Sequence, residues 1–171
     1  LLGTPKGNGK TELLAAIALA ELAGPKAPLS PNIPIAAASF EQADLLFGTA
    51  RIMLTQGPLA AHFEVYDTEI LIKDRPGRMY RVAAAAGTND GGRPTCFIAD
   101  ELHEWTGNKE RVHLVLSNSL AKRAEALELN ISTAGSDENT LLGRMLTYAK
   151  RIASGEVSDP SFLVEWWAAA D

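Results

Sequence analysis

The apolar residues of this chain gather in two kinds of cluster, and the spacing within each predicts the element it forms. From Lys10 to Ala23, leucines and alanines recur at helical spacing, and Gly24-Pro25 stops the run. Residues 25–34 read as a loop. Ile33 to Ala38 is a short unbroken apolar run, fit for a buried strand. Ser39-Phe40-Glu41-Gln42 then has the S-x-x-Q form of a capping box, opening a helix that runs to about Thr55.

Glu69 to Ala85 reads as two strands around the turn Asp74-Arg75-Pro76-Gly77. Thr95 to Ala99 and Leu127 to Ser132 are further strands, with a helix from Lys109 to Glu125 between them. A last helix, Glu138 to Ala153, carries Lys150 and Arg151 near its C-terminal end, where the helix dipole favours positive charge. Phe162 to Trp167 closes the chain as a strand. Short apolar strands alternating with helices predict an α/β fold, a mostly parallel sheet with helices on both faces, plus the β-hairpin at 69–85.

Composition narrows this picture. With 171 residues, 46% of them hydrophobic, the chain suits one domain, 1–171, able to bury a real core. The apolar stretch Leu13 to Leu22 is flanked by Glu12, broken by Glu21 and too short to cross a bilayer. No basic-then-apolar leader precedes it, so the chain reads as cytosolic, with no membrane partner. The single cysteine, Cys96, excludes an internal disulfide and reads as a small core residue. The three scattered histidines show no zinc-site spacing. A net charge of −5 excludes a domain whose whole surface grips nucleic acid, so any DNA contact is local, transient or shared among subunits.

Candidate chemistry begins at LLGTPKGNGKTE. The phosphate-loop pattern is G-x-x-x-x-G-K-[ST], and Gly9-Lys10-Thr11 fits its second half, whereas Thr4 stands where the first glycine belongs and glycines are displaced to Gly3 and Gly7. The loop Pro5, Lys6, Gly7, Asn8, Gly9 and the helix start Lys10, Thr11, Glu12 form the candidate nucleotide site. The amides of Gly7 to Lys10 can face a phosphate, Lys10 can reach the β- and γ-phosphates of ATP, and Thr11 can ligate Mg²⁺. Lys6 falls outside the pattern, either as a finger supplied in cis to the γ-phosphate or as a solvated lysine that only adds positive potential.

The strand Thr95 to Ala99 delivers Asp100-Glu101 at its C-terminal end, which is where ligands sit in open α/β sheets. Asp100 is the candidate Mg²⁺ acid and Glu101 the candidate catalytic base for an attacking water. The string DELHEW has the D-E-x-H form of nucleic-acid-dependent ATPases, in which His103 senses a γ-phosphate, bonds a neighbouring loop or caps local structure. The strand at 127–132 runs into Thr133-Ala134-Gly135-Ser136. Hydroxyls there form either a plain turn or a switch that feels the γ-phosphate.

PKGNGKT, FIADELHEW and NISTAGSD, in that order, resemble the ATPase domain of the large terminase subunit of tailed bacteriophages, over almost the whole chain. IAAASFEQADLLF, with Gln42 in an S-x-x-Q-A setting, and GTNDGGRPTCFIADE extend the likeness. The resemblance implies a P-loop NTPase fold of the ASCE, RecA-like kind, with the hairpin as an insertion. It implies ATP and Mg²⁺ as cofactors, Lys10 and Thr11 as phosphate lysine and metal hydroxyl, Asp100 as metal acid, Glu101 as catalytic glutamate and Ser132-Thr133 as the coupling motif. It places Lys6 where relatives often carry an arginine. The implied role is a packaging motor at the portal of a procapsid in the host cytoplasm. Its implied partners are double-stranded DNA, the portal protein, the small terminase subunit and further copies of itself in a ring.

Only Leu1-Leu2 precede Gly3, so the first strand reads as truncated and the chain as a fragment without the family's C-terminal nuclease domain and without nuclease activity. Two rivals stand beside the motor. One is a helicase-like DExH ATPase, since STAG is similar to the S-A-T coupling element. The other is a nucleotide switch without turnover, against which Glu101 argues.

Overall fold

The computed structural model describes residues 1–83, 92–123, 125–133, 135, 137 and 138–167. Ala84 and Ala85 of the expected hairpin, Gly87 to Gly91 of the family-like stretch, and Ala134 and Ser136 of the hydroxyl-rich turn lie outside the described residues.

One eight-stranded sheet organises the chain, in the order β3-β4-β5-β2-β6-β7-β1-β8. Its strands are β1 (Leu2–Gly3), β2 (Asn32–Ala37), β3 (Phe63–Val65), β4 (Glu69–Ile72), β5 (Arg78–Ala83), β6 (Cys96–Ala99), β7 (Leu127–Ser132) and β8 (Glu165–Trp166). From β5 to β8 every described pairing is parallel, and only β3 and β4 at one edge are antiparallel. The helices are α1 (Lys10–Ala23), α2 (Phe40–Gln56), α3 (Asn108–Leu120) and α4 (Leu141–Ala153).

Side chains alternate across the central strands as a pleated sheet requires. Ile33, Ile35, Cys96 and Ile98 face a core built with Leu14, Ala18 and Leu22 of α1 and Leu46, Phe47 and Ala50 of α2. Ala36, Phe97 and Ala99 face the opposite core, with Val112, Leu116 and Leu120 of α3, Leu142 of α4 and Trp105. Both faces are covered, so β2 and β6 carry near-continuous apolar runs instead of alternating polar residues. Cys96 is a free, fully buried thiol in the first core, and burial pushes its ionisation well up.

Local chemistry sets the helix starts. Both halves of the capping box form: Ser39 Oγ accepts the Gln42 N–H at 3.3 Å, and Gln42 Oε1 accepts the Ser39 N–H at 3.2 Å. Two helices are shorter than their sequence patterns. α4 starts at Leu141, not Glu138, because Asp137 to Thr140 folds into a turn and Thr140 caps the helix by accepting the Gly143 N–H. α3 ends at Leu120 instead of Glu125: Ala121, Lys122 and Glu125 are exposed, and the Leu127 N–H reaches the Thr95 carbonyl at 3.1 Å.

The closing strand is confined to Glu165–Trp166. The hairpin forms around residues 73–77, but its second arm is also an inner strand, paired in parallel with β2 along its length. The three-residue edge strand β3 has no counterpart in the sequence pattern.

Candidate active site

Register gathers the candidate chemistry at one edge of the sheet. Gly3 lies opposite Ser132, Asn130 opposite Ala99, and Ala99 opposite Ala36. The loop after β1, the Ser132-Thr133 tip of β7 and Asp100-Glu101 after β6 therefore leave the sheet side by side, with β7 between the other two.

Pro5, Lys6, Gly7, Asn8 and Gly9 are exposed, and the loop turns on Gly7 at φ 83° and Gly9 at φ 68°. L-residues with a Cβ rarely take such angles. Gly9 caps α1 with no side-chain bond to the helix, so the first amides of α1 remain available to an anion. Asn8 stiffens the loop by donating to the Pro5 carbonyl at 3.0 Å. Lys10 is buried, its Nζ donating to the Thr4 carbonyl at 3.4 Å, while Thr11 is half-buried and Glu12 exposed. Gly3 has a different reason to be glycine: a Cβ there would meet ring carbons of Trp166 at 2.0 to 2.3 Å. It admits β8 and belongs to packing, not to the phosphate loop.

Asp100 is buried, with 7% of its surface exposed. Burial and the neighbouring Glu101 charge push its carboxyl up from 3.8 to about 6, against the pull of the Glu101 N–H and the charges of Lys10 and His103. That N–H donates to Asp100 Oδ1 at 2.8 Å. Trp105, fully buried, fixes the same turn by donating its indole N–H to the Asp100 carbonyl at 2.9 Å. Sequence reasoning passed over Trp105, and the signal was there: a large apolar residue close behind two acids, where a solvated turn would stay polar.

Glu101 has φ 48° and ψ 56°, the only non-glycine residue in the left-handed region among the described residues. A left-handed residue that bears a Cβ costs about 1–2 kcal/mol, and the surrounding contacts hold it there. Glu101 Oε2 accepts from the Thr133 hydroxyl at 3.3 Å and the Thr133 N–H at 3.4 Å. His103 Nδ1 lies 3.3 Å from the same oxygen, 3.0 Å from Ser132 Oγ and 3.3 Å from Thr133 Oγ1, and the His103 N–H donates to Ser132 Oγ at 3.1 Å. Of the roles open to His103, the geometry realises the contact with a neighbouring strand tip.

The donor set suits a magnesium nucleotide. Asp100 and Thr11 offer hard oxygen, and Lys10 and free helix amides offer positive charge to phosphate. Among the described residues, no group of three histidine, cysteine or acidic side chains could hold a metal by itself. Phosphate and water would complete the shell of a cation held by Asp100 and Thr11, as they do for Mg²⁺.

A parallel sheet with a glycine loop, a buried lysine at a helix start and an acid pair on aligned strand tips defines a P-loop nucleoside triphosphatase. The family model for the ATPase domain of the terminase large subunit matches residues 3–151, and the chain belongs to that family. It is 29% identical over 145 residues to the terminase large subunit of Enterobacteria phage HK97, covering 83% of this chain and 29% of that protein. The crystal structure of the HK97 large terminase matches 99% of this chain and 35% of its own at a TM-score of 0.84 and 24% identity. The large terminase ATPase domain of Thermus phage P74-26 matches 80% of this chain and 60% of its own, at a TM-score of 0.64 and 21% identity. The chain thus spans about a third or less of the HK97 protein, and the family match favours a terminase over a helicase. Among the described residues, no helix is long and apolar enough to cross a membrane.

Proposed function

We propose that this chain hydrolyses ATP with Mg²⁺ at the edge shared by β1, β7 and β6, and that turnover drives double-stranded DNA into a procapsid. The observation that carries the reading is the convergence of the phosphate loop and the acid pair on adjacent strand tips, with the charge of Lys10 acting on the Asp100 carboxyl. The α1 amides and Lys10 bind the phosphates, and Asp100 with Thr11 holds the cation. Bound Mg²⁺ supplies neutralisation of the charge on the β- and γ-phosphates. Glu101 accepts the proton of the attacking water, and Ser132-Thr133 couples its position to β7. Lys6, in the exposed loop, reaches the γ-phosphate as a finger in cis. DNA, portal protein, small terminase subunit and a ring of copies are the partners this motor needs. The names of the relatives support them as proposals for the whole protein.

Nucleotide affinity and turnover of two variants test the chemistry. Lys10→Ala is expected to weaken ATP binding, because Lys10 meets charge present in the ground state. Glu101→Gln is expected to keep binding and lose hydrolysis, because Glu101 acts only as the reaction proceeds. Normal turnover by Glu101→Gln removes it from the base role.

A further inference from the structure

Gln42 has no part in the chemistry above, yet it stands at the far end of a continuous line of polar contacts that reaches Glu101. The capping box fixes its side chain through the Ser39 N–H on Oε1, while its Nε2 donates to Glu104 Oε2 at 2.7 Å. The other Glu104 oxygen lies 3.8 Å from His103 Nε2. Across the ring, His103 Nδ1 faces Ser132, Thr133 and Glu101. Three segments distant in sequence, the start of α2, the turn after β6 and the tip of β7, are joined through one imidazole.

We propose that Gln42 and Glu104 are a positioning pair for Glu101: by orienting His103, they determine where the Thr133 hydroxyl, and with it the Glu101 carboxylate, points. The proposal rests on Glu101 being the base assigned above.

Proton counting carries the argument. Two carboxylates compete for the ring proton, Glu101 Oε2 at 3.3 Å from Nδ1 and Glu104 Oε1 at 3.8 Å from Nε2, and in the tautomer that Glu104 favours Nδ1 is an acceptor. Ser132 Oγ, nearest to Nδ1 at 3.0 Å and already accepting the His103 N–H, has its own proton free for Nδ1. The single Thr133 proton is then committed to Glu101 Oε2 at 3.3 Å. Without Glu104, or without Gln42 to hold it, the other tautomer opens. Nδ1–H then donates among Ser132 Oγ, Thr133 Oγ1 and Glu101 Oε2, and competes with the Thr133 hydroxyl for the Glu101 carboxylate. The Glu104 side chain is 43% exposed, so water competes for it and the effect is modest.

Steady-state ATPase activity and thermal unfolding of the purified protein test this with Gln42→Ala, Glu104→Ala, their double variant, Gln42→Glu, and the exchanged pair Gln42→Glu with Glu104→Gln. Each alanine variant is expected to lower kcat by about three- to ten-fold, the range of a coupled side-chain pair, with KM for ATP unchanged. The double variant is expected to be no worse than the poorer single one. Gln42→Glu, which sets two carboxylates against each other, is expected to be at least as slow. The exchanged pair restores an amide facing a carboxylate but puts the amide where the carboxylate faced His103 Nε2, so it is expected to stay as slow as Glu104→Ala. Wild-type kcat in both alanine variants, additive losses in the double, or an exchanged pair as fast as wild type overturns the proposal. So does a loss of kcat that merely follows a lowered melting temperature with a raised KM. A fully active Glu101→Gln overturns the base assignment and this proposal together. An inactive Glu101→Gln beside wild-type Gln42 and Glu104 variants overturns the positioning pair alone.

Discussion

Replacing Asp100 by asparagine should stabilise the protein while abolishing its use of the nucleotide. Asn keeps an oxygen where Asp100 Oδ1 accepts the Glu101 N–H at 2.8 Å, and it removes a charge that burial disfavours. Raising the carboxyl from 3.8 to about 6 corresponds to about 3 kcal/mol of penalty on the ionised form. That figure is already net of the pull of Lys10, His103 and the Glu101 N–H, so a gain of up to about 3 kcal/mol is expected at pH 8. Because the folded pKa lies above the unfolded one, the folded chain binds a proton that the unfolded chain releases between pH 3.8 and about 6, and the penalty grows as pH rises through that window. Below the window both states are protonated and the two proteins converge. Denaturant unfolding at pH 4 and pH 8, without nucleotide or divalent cation, measures the difference, and Mg²⁺-dependent turnover measures the loss. A variant no more stable than its parent at pH 8, or a gap of equal size at both pH values, would refute the reasoning. The pattern expected is the usual one of a functional group held at the expense of stability.

Lys6 separates finger from solvated charge by kinetics: an arginine finger is worth roughly 10³-fold or more, and lysine, lacking the planar fork, less. Lys6→Ala should lower kcat severely with little loss of ATP affinity while Lys6→Arg stays active, assayed in the full-length protein with procapsids and DNA. Wild-type packaging ATPase in Lys6→Ala ends the finger. Gly3→Ala pushes a methyl into the Trp166 ring and should cost about 1–3 kcal/mol in denaturant unfolding, a cost expected to vanish when the same change is made in a Trp166→Ala background. A stable Gly3→Ala single variant would count against the packing role. Ser39→Ala removes half of the capping box and should cost about 1 kcal/mol by the same measurement, with no change expected if α2 starts without it.

Elements written in local pattern were legible in the sequence. The helix Lys10–Ala23, the strand Leu127–Ser132 and the box at Ser39 and Gln42 stand as their residues imply, because spacing, stop signals and caps act within a few residues. The glycine loop before the first long helix and the two acids at the tip of β6 were legible for the same reason, as residue types at fixed spacing. What depended on contact between distant segments was not legible. Phe63–Val65 becomes a strand only because β4 offers its edge, and the second arm of the hairpin becomes an inner strand only because β2 lies beside it. Gly3 looks like a phosphate glycine until Trp166 packs on it. The burial that raises the Asp100 carboxyl, the left-handed backbone of Glu101 and the reach of Gln42 to Glu104 have no local signature. Each is set by what the folded chain brings against it, and pairing across a sheet and exclusion of water are properties of the whole packing, not of any segment.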